Sequence, residues 1–568
     1  MSGNRYIDLL LLFSAAIALK LFIFFTVSDP VVFFKYPFFA DQLNKGMDIG
    51  ERLLDLSPLY LYGMVFLQKI YGSNWEAMTV FQLLAGSFNG ILIFLIGEKI
   101  FNRAVGLTAA VILMLYGNLT LFELTLEPDS FVLLLNSLFL LTVLWTGERS
   151  LNTHSALIWL WPGLILGLSV ITKANALLIW PGVIFWIFWT SPGGKKIRYA
   201  LLFTLGVSLL ILPVTLRNYI QFHDPVLVTA DMGKVFFHGN GPGATGMERA
   251  DLPDQGFIEE TGGEPDFAHT LFRSTARGLT HRNLSPSESS RFWVFRTLDH
   301  IRSHPYSAFK LLAKKFVLFW LNYEVHDLDT NYAYYQTIRA WPLVPFGLIA
   351  ALGVVGMFLS RKNLKQTYLP FLMIAVYLLT VVIFFNASRY RLPAVPFLCL
   401  FAAYTILSLY DRLKRKQGKP FFLIAVPTVL LFILSVFSLR DEVAALDRWQ
   451  QATRFHYNLG GNVFFKKGEY QKAIEEYKRA VALAPNFAPA YNQMGKAYAM
   501  LNDLSSSKKS FLKVIQLSPA VDQGYMNLGL IHALKGEKEK AAFYLEKAVV
   551  LNPKNFKAKE HLEKLMSR

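Results

Sequence analysis

The sequence predicts an all-α protein in two parts, a polytopic membrane bundle of about 11 helices followed by a soluble α-solenoid. Two observations lead to this prediction. Several apolar runs before residue 438 reach the roughly 20 residues that a helix needs to cross a bilayer core. The last fifth of the chain repeats with a period of 34 residues. We therefore place the membrane domain at residues 1–438, a linker at 439–453 and the solenoid at 454–568.

The predicted spans are separated by short polar or basic connections. The first apolar run is too long for the apolar region of a signal peptide and lacks a clear small-x-small cleavage site, so it is predicted to be retained. The spans lie near residues 6–27, 76–98, 103–120, 128–147, 156–172, 175–191, 198–217, 340–359, 367–386, 391–410 and 420–438.

Basic residues in alternate connections predict the orientation, because positive loop residues stay on the cytoplasmic side. They are Lys99, Arg103, Lys195, Lys196, Arg198, Arg361, Lys362, Lys365, Arg412, Lys414, Arg415, Lys416 and Lys419. This rule places the N-terminus in the cytoplasm and the segments 28–75, 218–339 and 439–568 outside. A bacterial inner membrane with the solenoid in the periplasm is favoured over the endoplasmic reticulum.

Residues 306–322 form a further apolar stretch that is not counted as a span. Lys310, Lys314 and Lys315 within it lie at i, i+4 and i+5, which suits a helix lying flat in the membrane interface. Counting the stretch as a span would move the basic loop 361–365 to the outside.

The repeat has a recognisable internal pattern. An aromatic residue is followed four positions later by glycine, with a proline near the end of each period: Tyr457, Tyr491 and Tyr525; Gly461, Gly495 and Gly529; Pro485, Pro519 and Pro553. This pattern is typical of tetratricopeptide repeats (TPRs). We predict three repeats over 454–555 and a charged capping helix at 556–568. The concave face is expected to engage an acceptor or a protein partner, with a spacer or oligomerisation element as the alternative.

Charge distribution and cysteine content argue against a nucleic-acid partner and against a disulfide within the chain. The net charge is +17, but the basic residues cluster in loops between spans, so no nucleic-acid partner is predicted. Cys399 is the single cysteine, and an intramolecular disulfide is therefore impossible.

Candidate acidic residues lie in the first outer loop and at the start of the fourth span. The Asp41 carboxylate could take a proton from an acceptor hydroxyl. Glu127, in Glu127-Pro128-Asp129, could orient the acceptor or help to bind a divalent cation such as Mg²⁺ or Mn²⁺; no other cofactor is expected. Tyr60 is a candidate substrate contact.

Candidate basic residues lie at the predicted outer surface, against the positive-inside rule, which indicates a local anion. Lys173 offers a point charge. Arg389 and Arg391 offer planar guanidinium groups whose paired N–H donors suit a phosphate. Their structural alternative is that these side chains extend to lipid headgroups.

The second outer segment supplies further candidates. Asn240 lies in a glycine-rich loop that lacks the spacing of a nucleotide-binding loop and suits a turn near an active site. Tyr323 and Glu324 could line a sugar-binding cleft or belong to an interfacial aromatic belt. His300 and His304 lie four apart without a third ligand nearby, so a zinc site is not predicted.

In order and spacing, these pieces resemble the C-type glycosyltransferase superfamily, in its protein O-mannosyltransferase and lipid A aminoarabinose transferase branch. The resemblance covers roughly residues 6–410. Its carriers are Asp41, SPLYLYG…KIYG, Glu127-Pro128, GLSVITKANALLIWPG, PVLVTADMGKVFFHGNGPGATG and ASRYRLPAVP. The fusion to TPRs is similar in plan to the transmembrane-and-TPR O-mannosyltransferases.

The resemblance implies a sugar donor carried on a polyprenyl phosphate and inverting transfer to a protein, glycan or lipid acceptor on the outer face. The donor's tail would lie among the spans, in contact with membrane lipid. Asp41 matches the family's catalytic acid, although Gln42 stands where many members have Glu. Lys173, Arg389 and Arg391 match positions where relatives gather positive charge around the donor phosphate.

Two other functions are compatible with the sequence. One is a catalytically inactive membrane scaffold whose TPRs recruit partners. The other is a ligase or polymerase of lipid-linked glycans, which is expected to depend on basic and histidine residues in a large outer loop. A transporter is not predicted, since the chain lacks internally repeated halves with broken helices.

Overall fold

The chain is described by a computed structural model over residues 3–27, 35–152, 155–247, 267–326, 329–552 and 555–567. Within these ranges every regular element is a helix, which confirms the predicted all-α class. An apolar bundle precedes a stack of amphipathic helix pairs.

Fifteen helices make up the first part of the bundle and its outer segments. They are α1 (Gly3–Thr26), α2 (Lys35–Asn44), α3 (Pro58–Tyr71), α4 (Trp75–Ile100), α5 (Arg103–Met114), α6 (Gly117–Leu124), α7 (Asp129–Asn152), α8 (Leu160–Thr172), α9 (Ile179–Thr190), α10 (Lys196–Phe222), α11 (Met232–Asn240), α12 (Phe267–Thr280), α13 (Pro286–Ser303), α14 (Pro305–Trp320) and α15 (Asp329–Ile338).

The bundle is completed by α16 (Phe346–Ser360), α17 (Leu364–Ile383), α18 (Ser388–Arg391), α19 (Val395–Lys414) and α20 (Gly418–Phe437). Short 3₁₀ turns cover Gly50–Leu54, Ala156–Trp159, Ala174–Leu178, Gly193–Lys195, Arg361–Asn363 and Leu392–Ala394.

Seven helical segments in the described ranges are long and apolar enough to cross a membrane, or eight if α5 and α6 form one span bent by 56°. Two shorter apolar segments, Ala156–Thr172 and Ala174–Thr190, coincide with predicted spans. A membrane bundle is therefore confirmed, and the count of about 11 spans stays a prediction.

One of the seven segments, Phe346–Ile383, consists of two helices that run in opposite directions. The ring of Phe346, at the start of α16, lies 3.8 Å from the guanidinium of Arg391, which comes eight residues after the end of α17. The start of α16 and the end of α17 thus lie at the same end of the bundle, as the predicted pair 340–359 and 367–386 requires.

Helix α19 lies at the centre of the bundle, packed on α16, α5 and α20. In its most apolar window 72% of the residues are buried, against 17% for α1 and for α20. Peripheral helices leave apolar side chains exposed, as a lipid-facing surface does.

The peripheral helix α1 is attached to the bundle by a buried ion pair. The Lys20 ammonium lies 2.7 Å from the Glu123 carboxylate of α6, with 3% and 0% of the side chains exposed. Gly86 of α4 makes room for the pair, since a Cβ there would lie 2.0 Å from Glu123 Oε1. Ionisable residues inside a membrane are costly, so Lys20 is stabilised by its partner.

Helix α14 has 16 residues, three of them lysines, and is not among the membrane-crossing segments. Its lysines differ from the pattern expected of a helix flat in the interface. Lys310 is exposed, Lys314 pairs with Glu442, and Lys315 is completely buried. The interfacial placement of this helix stays a prediction, and Lys315 contributes to the interior of the protein.

The solenoid consists of paired helices that alternate along the chain. Its helices are α22 (Tyr470–Leu483), α23 (Ala488–Met500), α24 (Leu504–Leu517), α25 (Asp522–Leu534), α26 (Lys538–Leu551) and α27 (Phe556–Met566). The first repeat begins with two π-helical stretches, Gln451–Tyr457 and Leu459–Phe465. Adjacent repeats are joined by a hydrogen bond from Asn527 Nδ2 to Asn492 Oδ1 of 2.8 Å.

The segment predicted as a linker, 439–453, contains a helix, α21 (Arg440–Gln450). This helix packs on the membrane domain through Leu446, which is buried with Leu318, Leu321 and Val325. The solenoid therefore attaches at the end of the bundle where α18 lies.

Candidate active site

The acidic motif Glu127-Pro128-Asp129 lies at the turn between α6 and α7. Pro128 precedes the first residue of α7, a position that suits its fixed φ angle. The Asp129 carboxylate is buried and forms an ion pair with the Lys173 ammonium, of which 16% is exposed. The turn thus places one carboxylate against a predicted phosphate-binding lysine.

Lys173 ends α8 with an extended backbone, which turns its side chain away from the helix. Its ammonium lies 4.9 Å from the ring centroid of Tyr390, and the Arg389 guanidinium lies 5.0 Å from the same ring. Cations are attracted to the face of an aromatic ring. Tyr390 therefore brings together two of the three predicted phosphate ligands. We call Asp129, Lys173, Arg389 and Tyr390 the basic cluster.

A chain of hydrogen bonds joins Tyr60 to the acidic turn. The Tyr60 hydroxyl donates to Gln82 Oε1 at 2.5 Å, and Gln82 Nε2 donates to Ser130 Oγ at 2.9 Å and to the Glu127 carbonyl at 3.3 Å. The chain holds the turn against α3 and α4. Gln82 was not among the predicted residues, although a glutamine inside an apolar span was a signal for it.

The Glu127 carboxylate faces two packed tyrosines. The rings of Tyr36 and Tyr60 meet edge to face at 4.9 Å. Burial, with a smaller contribution from the Glu127 charge, raises the pKa of Tyr36 to about 12 and raises the pKa of Tyr60. Both hydroxyls therefore stay protonated at neutral pH. Tyr60 donates to Gln82 and Tyr36 donates to Ser57 Oγ at 3.0 Å, so each hydroxyl oxygen is left as an acceptor.

Asp41 lies on α2, on the outer side of this group. Its carboxylate is 31% exposed, 2.6 Å from the Lys45 ammonium and 3.3 Å from Ser73 Oγ. Among the described residues, the carboxylate contacts these two side chains and none of the basic cluster. Its accessibility suits contact with an incoming acceptor, and its catalytic role stays a prediction.

Arg391 points away from the basic cluster. Its guanidinium forms an ion pair of 2.8 Å with Glu324 and donates to the carbonyls of Leu321 and Tyr323, both at 2.8 Å. Glu324 also accepts from the Tyr116 hydroxyl at 2.7 Å and from Asn118 Nδ2 at 3.0 Å. The structure thus uses Arg391 and Glu324 to hold the outer segment together.

Burial raises the pKa of the Glu324 carboxyl, but the Arg391 charge and several hydrogen bonds outweigh burial, so this pKa lies below its usual value. The predicted roles of Arg391 in phosphate binding and of Glu324 in substrate binding would require these groups to exchange partners.

Asn240 and Tyr323 are also engaged within the protein. Asn240 Oδ1 accepts from the buried Lys315 ammonium at 2.7 Å, and Asn240 Nδ2 donates to the Ile383 carbonyl at 2.8 Å. The Tyr323 hydroxyl lies 3.1 Å from Asp447 Oδ1 of α21. Both predicted substrate contacts therefore face structural partners.

Among the described residues, no group of three or more His, Cys, Asp or Glu side chains is placed to hold a metal ion. The rings of His300 and His304 lie 4.7 Å apart on α13 and the turn after it. The divalent cation suggested for Glu127 stays a prediction.

The comparisons with known proteins identify both parts of the chain. Residues 55–218 match the family described as dolichyl-phosphate-mannose-protein mannosyltransferase. Tetratricopeptide repeat families match residues 461–502, 488–521 and 523–555. The mannosyltransferase match contains Tyr60, Glu127 and Lys173, whereas Asp41 and the basic segment of α18 lie outside it.

The proteins similar to parts of this chain include O-mannosyl-transferases and an Hsp70-Hsp90 organizing protein. The human "Protein O-mannosyl-transferase TMTC2" is 32% identical over 100 residues, 17% of this chain and 12% of that protein. The human "Protein O-mannosyl-transferase TMTC1" is 29% identical over 113 residues, 19% of this chain and 13% of that protein. The "Hsp70-Hsp90 organizing protein 3" of Arabidopsis thaliana is 33% identical over 95 residues, 17% of either chain. Each match spans less than a fifth of the relative's length.

Proposed function

We propose that the protein is an integral-membrane glycosyltransferase that moves a sugar from a polyprenyl-phosphate donor to a protein or glycan acceptor. The observation that carries the proposal is the basic cluster, in which Lys173 and Arg389 converge on Tyr390 next to the acidic turn. The match of residues 55–218 to the mannosyltransferase family supports it.

The donor phosphate is placed between Lys173 and Arg389. The ion pair with Asp129 keeps the Lys173 side chain oriented, so the ammonium group is in position before the donor arrives. Preset charge of this kind stabilises a leaving group in the transition state. As the bond between the anomeric carbon and the phosphate oxygen breaks, the phosphate departs with the electron pair and its charge is matched by the two cations.

The acceptor is placed on the side of α2 and α3. Its hydroxyl oxygen forms the new bond to the anomeric carbon while its proton passes to the Asp41 carboxylate, and Glu127 with the Tyr36 and Tyr60 hydroxyls orients the acceptor or the sugar. Attack from the face opposite the phosphate inverts the configuration at the anomeric carbon. The Asp41–Lys45 ion pair is exposed, so an acceptor can displace it at little cost.

The outer face of the membrane is the proposed location of the reaction. The ion pairs Arg103–Asp8 and Lys99–Glu148 lie at the end of the bundle opposite the basic cluster, where the cytoplasmic loops are predicted. The solenoid attaches at the end that carries α18, so its concave face is available to a polypeptide acceptor or a partner. These features favour a periplasmic or luminal solenoid.

The proposal is tested with purified protein, radiolabelled polyprenyl-phosphate sugars and a membrane extract as the acceptor source. We expect wild type to release polyprenyl phosphate and Asp41→Asn to be slower by about 100-fold or more, the usual contribution of a general base. Glu76→Gln, which removes an exposed carboxylate from the nearby start of α4, is the matched control and should behave as wild type.

Further outcomes distinguish the two alternatives. Donor turnover that is unaffected by Asp41→Asn but lost on changing outer-loop histidines would replace the proposal with a glycan ligase. If wild type turns over none of the donors in the presence of extract, the scaffold function is favoured instead.

A further inference from the structure

Helix α21 holds a short extended segment of the membrane domain, residues 321–326, which we call the strap. The Tyr323 hydroxyl lies 3.1 Å from both Asp447 Oδ1 and Gln450 Oε1. Gln450 Nε2 donates to the His326 carbonyl at 2.7 Å, and Gln450 is completely buried. Two side chains of the linker helix therefore fix the strap at its middle and at its end.

The opposite side of the strap holds α18. Arg391 donates to the carbonyls of Leu321 and Tyr323 and pairs with Glu324. The Ser388 amide donates to the Val325 carbonyl at 2.8 Å. Because α18 spans only Ser388–Arg391, these contacts set the position of the whole segment, including Arg389 of the basic cluster.

From these contacts we propose that Asp447 and Gln450 are positioning residues for the donor site. They act through the strap on α18, and so determine where Arg389 stands relative to Lys173. The inference rests on the proposed function for its enzymatic consequence. In the part of the chain that the structure describes, neither side chain contacts the basic cluster directly.

The position of α21 couples the solenoid to this support. Trp449 of α21 meets Phe487 at a ring distance of 5.4 Å, and Phe487 lies between the first two repeats. Lys314 of α14 also pairs with Glu442 near the start of α21. The solenoid is thus part of the framework of the donor site, and displacing it from the membrane domain should weaken donor binding.

Three variants of the full-length protein test the proposal. Asp447→Ala removes the oxygen that faces the Tyr323 and Tyr332 hydroxyls, whereas Asp447→Asn keeps an acceptor oxygen at the same place. Asp441→Ala is the control, because Asp441 is exposed on the same helix. If hydrogen bonding positions the strap, Asp447→Asn should rescue the defect of Asp447→Ala.

The first measurement is amide hydrogen exchange of peptides that cover 321–326 and 386–391. In Asp447→Ala we expect exchange about tenfold faster, because the strap opens more often once this contact is lost. Asp447→Asn and Asp441→Ala should match wild type. Tyr323→Phe, which removes only the hydroxyl, should reproduce the change if Asp447→Ala does not fold.

The second measurement is donor turnover. Asp447→Ala should raise the KM for the polyprenyl-phosphate sugar about tenfold and also lower kcat, because a displaced Arg389 contacts the phosphate less well both in the bound donor and in the transition state. Unchanged exchange in Asp447→Ala and Tyr323→Phe would overturn the positioning role, and so would faster exchange with an unchanged KM. Absence of donor turnover by wild type would instead overturn the proposed function, and exchange alone would then decide whether Asp447 positions α18.

Discussion

Replacing Arg391 by methionine tests whether this residue supports the fold or binds the donor. The side chains of Arg391 and Glu324 are 1% and 7% exposed and lie 2.8 Å apart. Removing one partner of a buried ion pair costs about 3–5 kcal/mol, because the remaining charge has no counter-ion. The carbonyls of Leu321 and Tyr323 also lose a donor, so we expect the upper half of that range.

The matched control is Arg389→Met, two residues away. Arg389 is partly exposed and lies against the ring of Tyr390, a contact worth about 0.5–1 kcal/mol. We expect Arg389→Met to fold as wild type and to bind the donor weakly. Arg391→Met combined with Glu324→Gln should recover part of the lost stability, since the uncompensated charge is removed.

Stability is measured by urea unfolding in detergent micelles, followed by tryptophan fluorescence, together with the fraction of monodisperse protein. Donor binding is measured on the folded fraction. The reasoning is refuted if Arg391→Met unfolds at the same urea concentration as Arg389→Met. Such a result, with donor binding lost, would show that Arg391 is available to the phosphate.

The remaining predictions concern the buried Lys20–Glu123 ion pair and the buried Lys315. Gly86→Ala should lower the free energy of unfolding by about 3–5 kcal/mol, because the new Cβ would displace Glu123 from Lys20. The control is Gly90→Ala on the same helix, which has open space around the new Cβ and should be neutral or stabilising. Equal unfolding midpoints for the two variants would contradict this prediction. Burial lowers the pKa of Lys315 from 10.5 to about 7. Between about pH 7 and pH 10.5 the unfolded state therefore binds more protons than the folded state. Stability should rise with pH over the range from about 7 to 10.5. A thermal-unfolding series from pH 6.5 to 9.5 should show this rise in wild type and lose it in Lys315→Met; the same slope in both proteins would refute it.

Local patterns in the sequence predicted most of the architecture. Apolar length and the 34-residue period depend on neighbouring residues alone, so the membrane helices, the repeats and the capping helix α27 could be placed without tertiary information. The outward position of Lys173 and Arg389 was inferred from basic residues where the positive-inside rule does not expect them, and it stays a prediction.

The ion-pair partners of the charged residues could not be predicted from local sequence patterns. Asp129 and Lys173 are 44 residues apart, and Lys20 and Glu123 are 103 apart, so their pairing depends on which helices become neighbours. Lys315 is the clearest example of a contact that the sequence alone could not predict. Its spacing from Lys310 and Lys314 suggested an interfacial surface, but packing of α14 on the Asn240 turn buries it.

The sequence by itself determined that this chain is a membrane bundle with a TPR solenoid, and it predicted which residues could meet a phosphate. Only the tertiary structure decided that Lys173 and Arg389 share Tyr390, that Arg391 faces Glu324, and that α21 fixes the solenoid to the strap. The physical reason is that helix formation and membrane insertion follow from local composition, whereas buried polar groups take whichever partners the packed helices bring within hydrogen-bond distance.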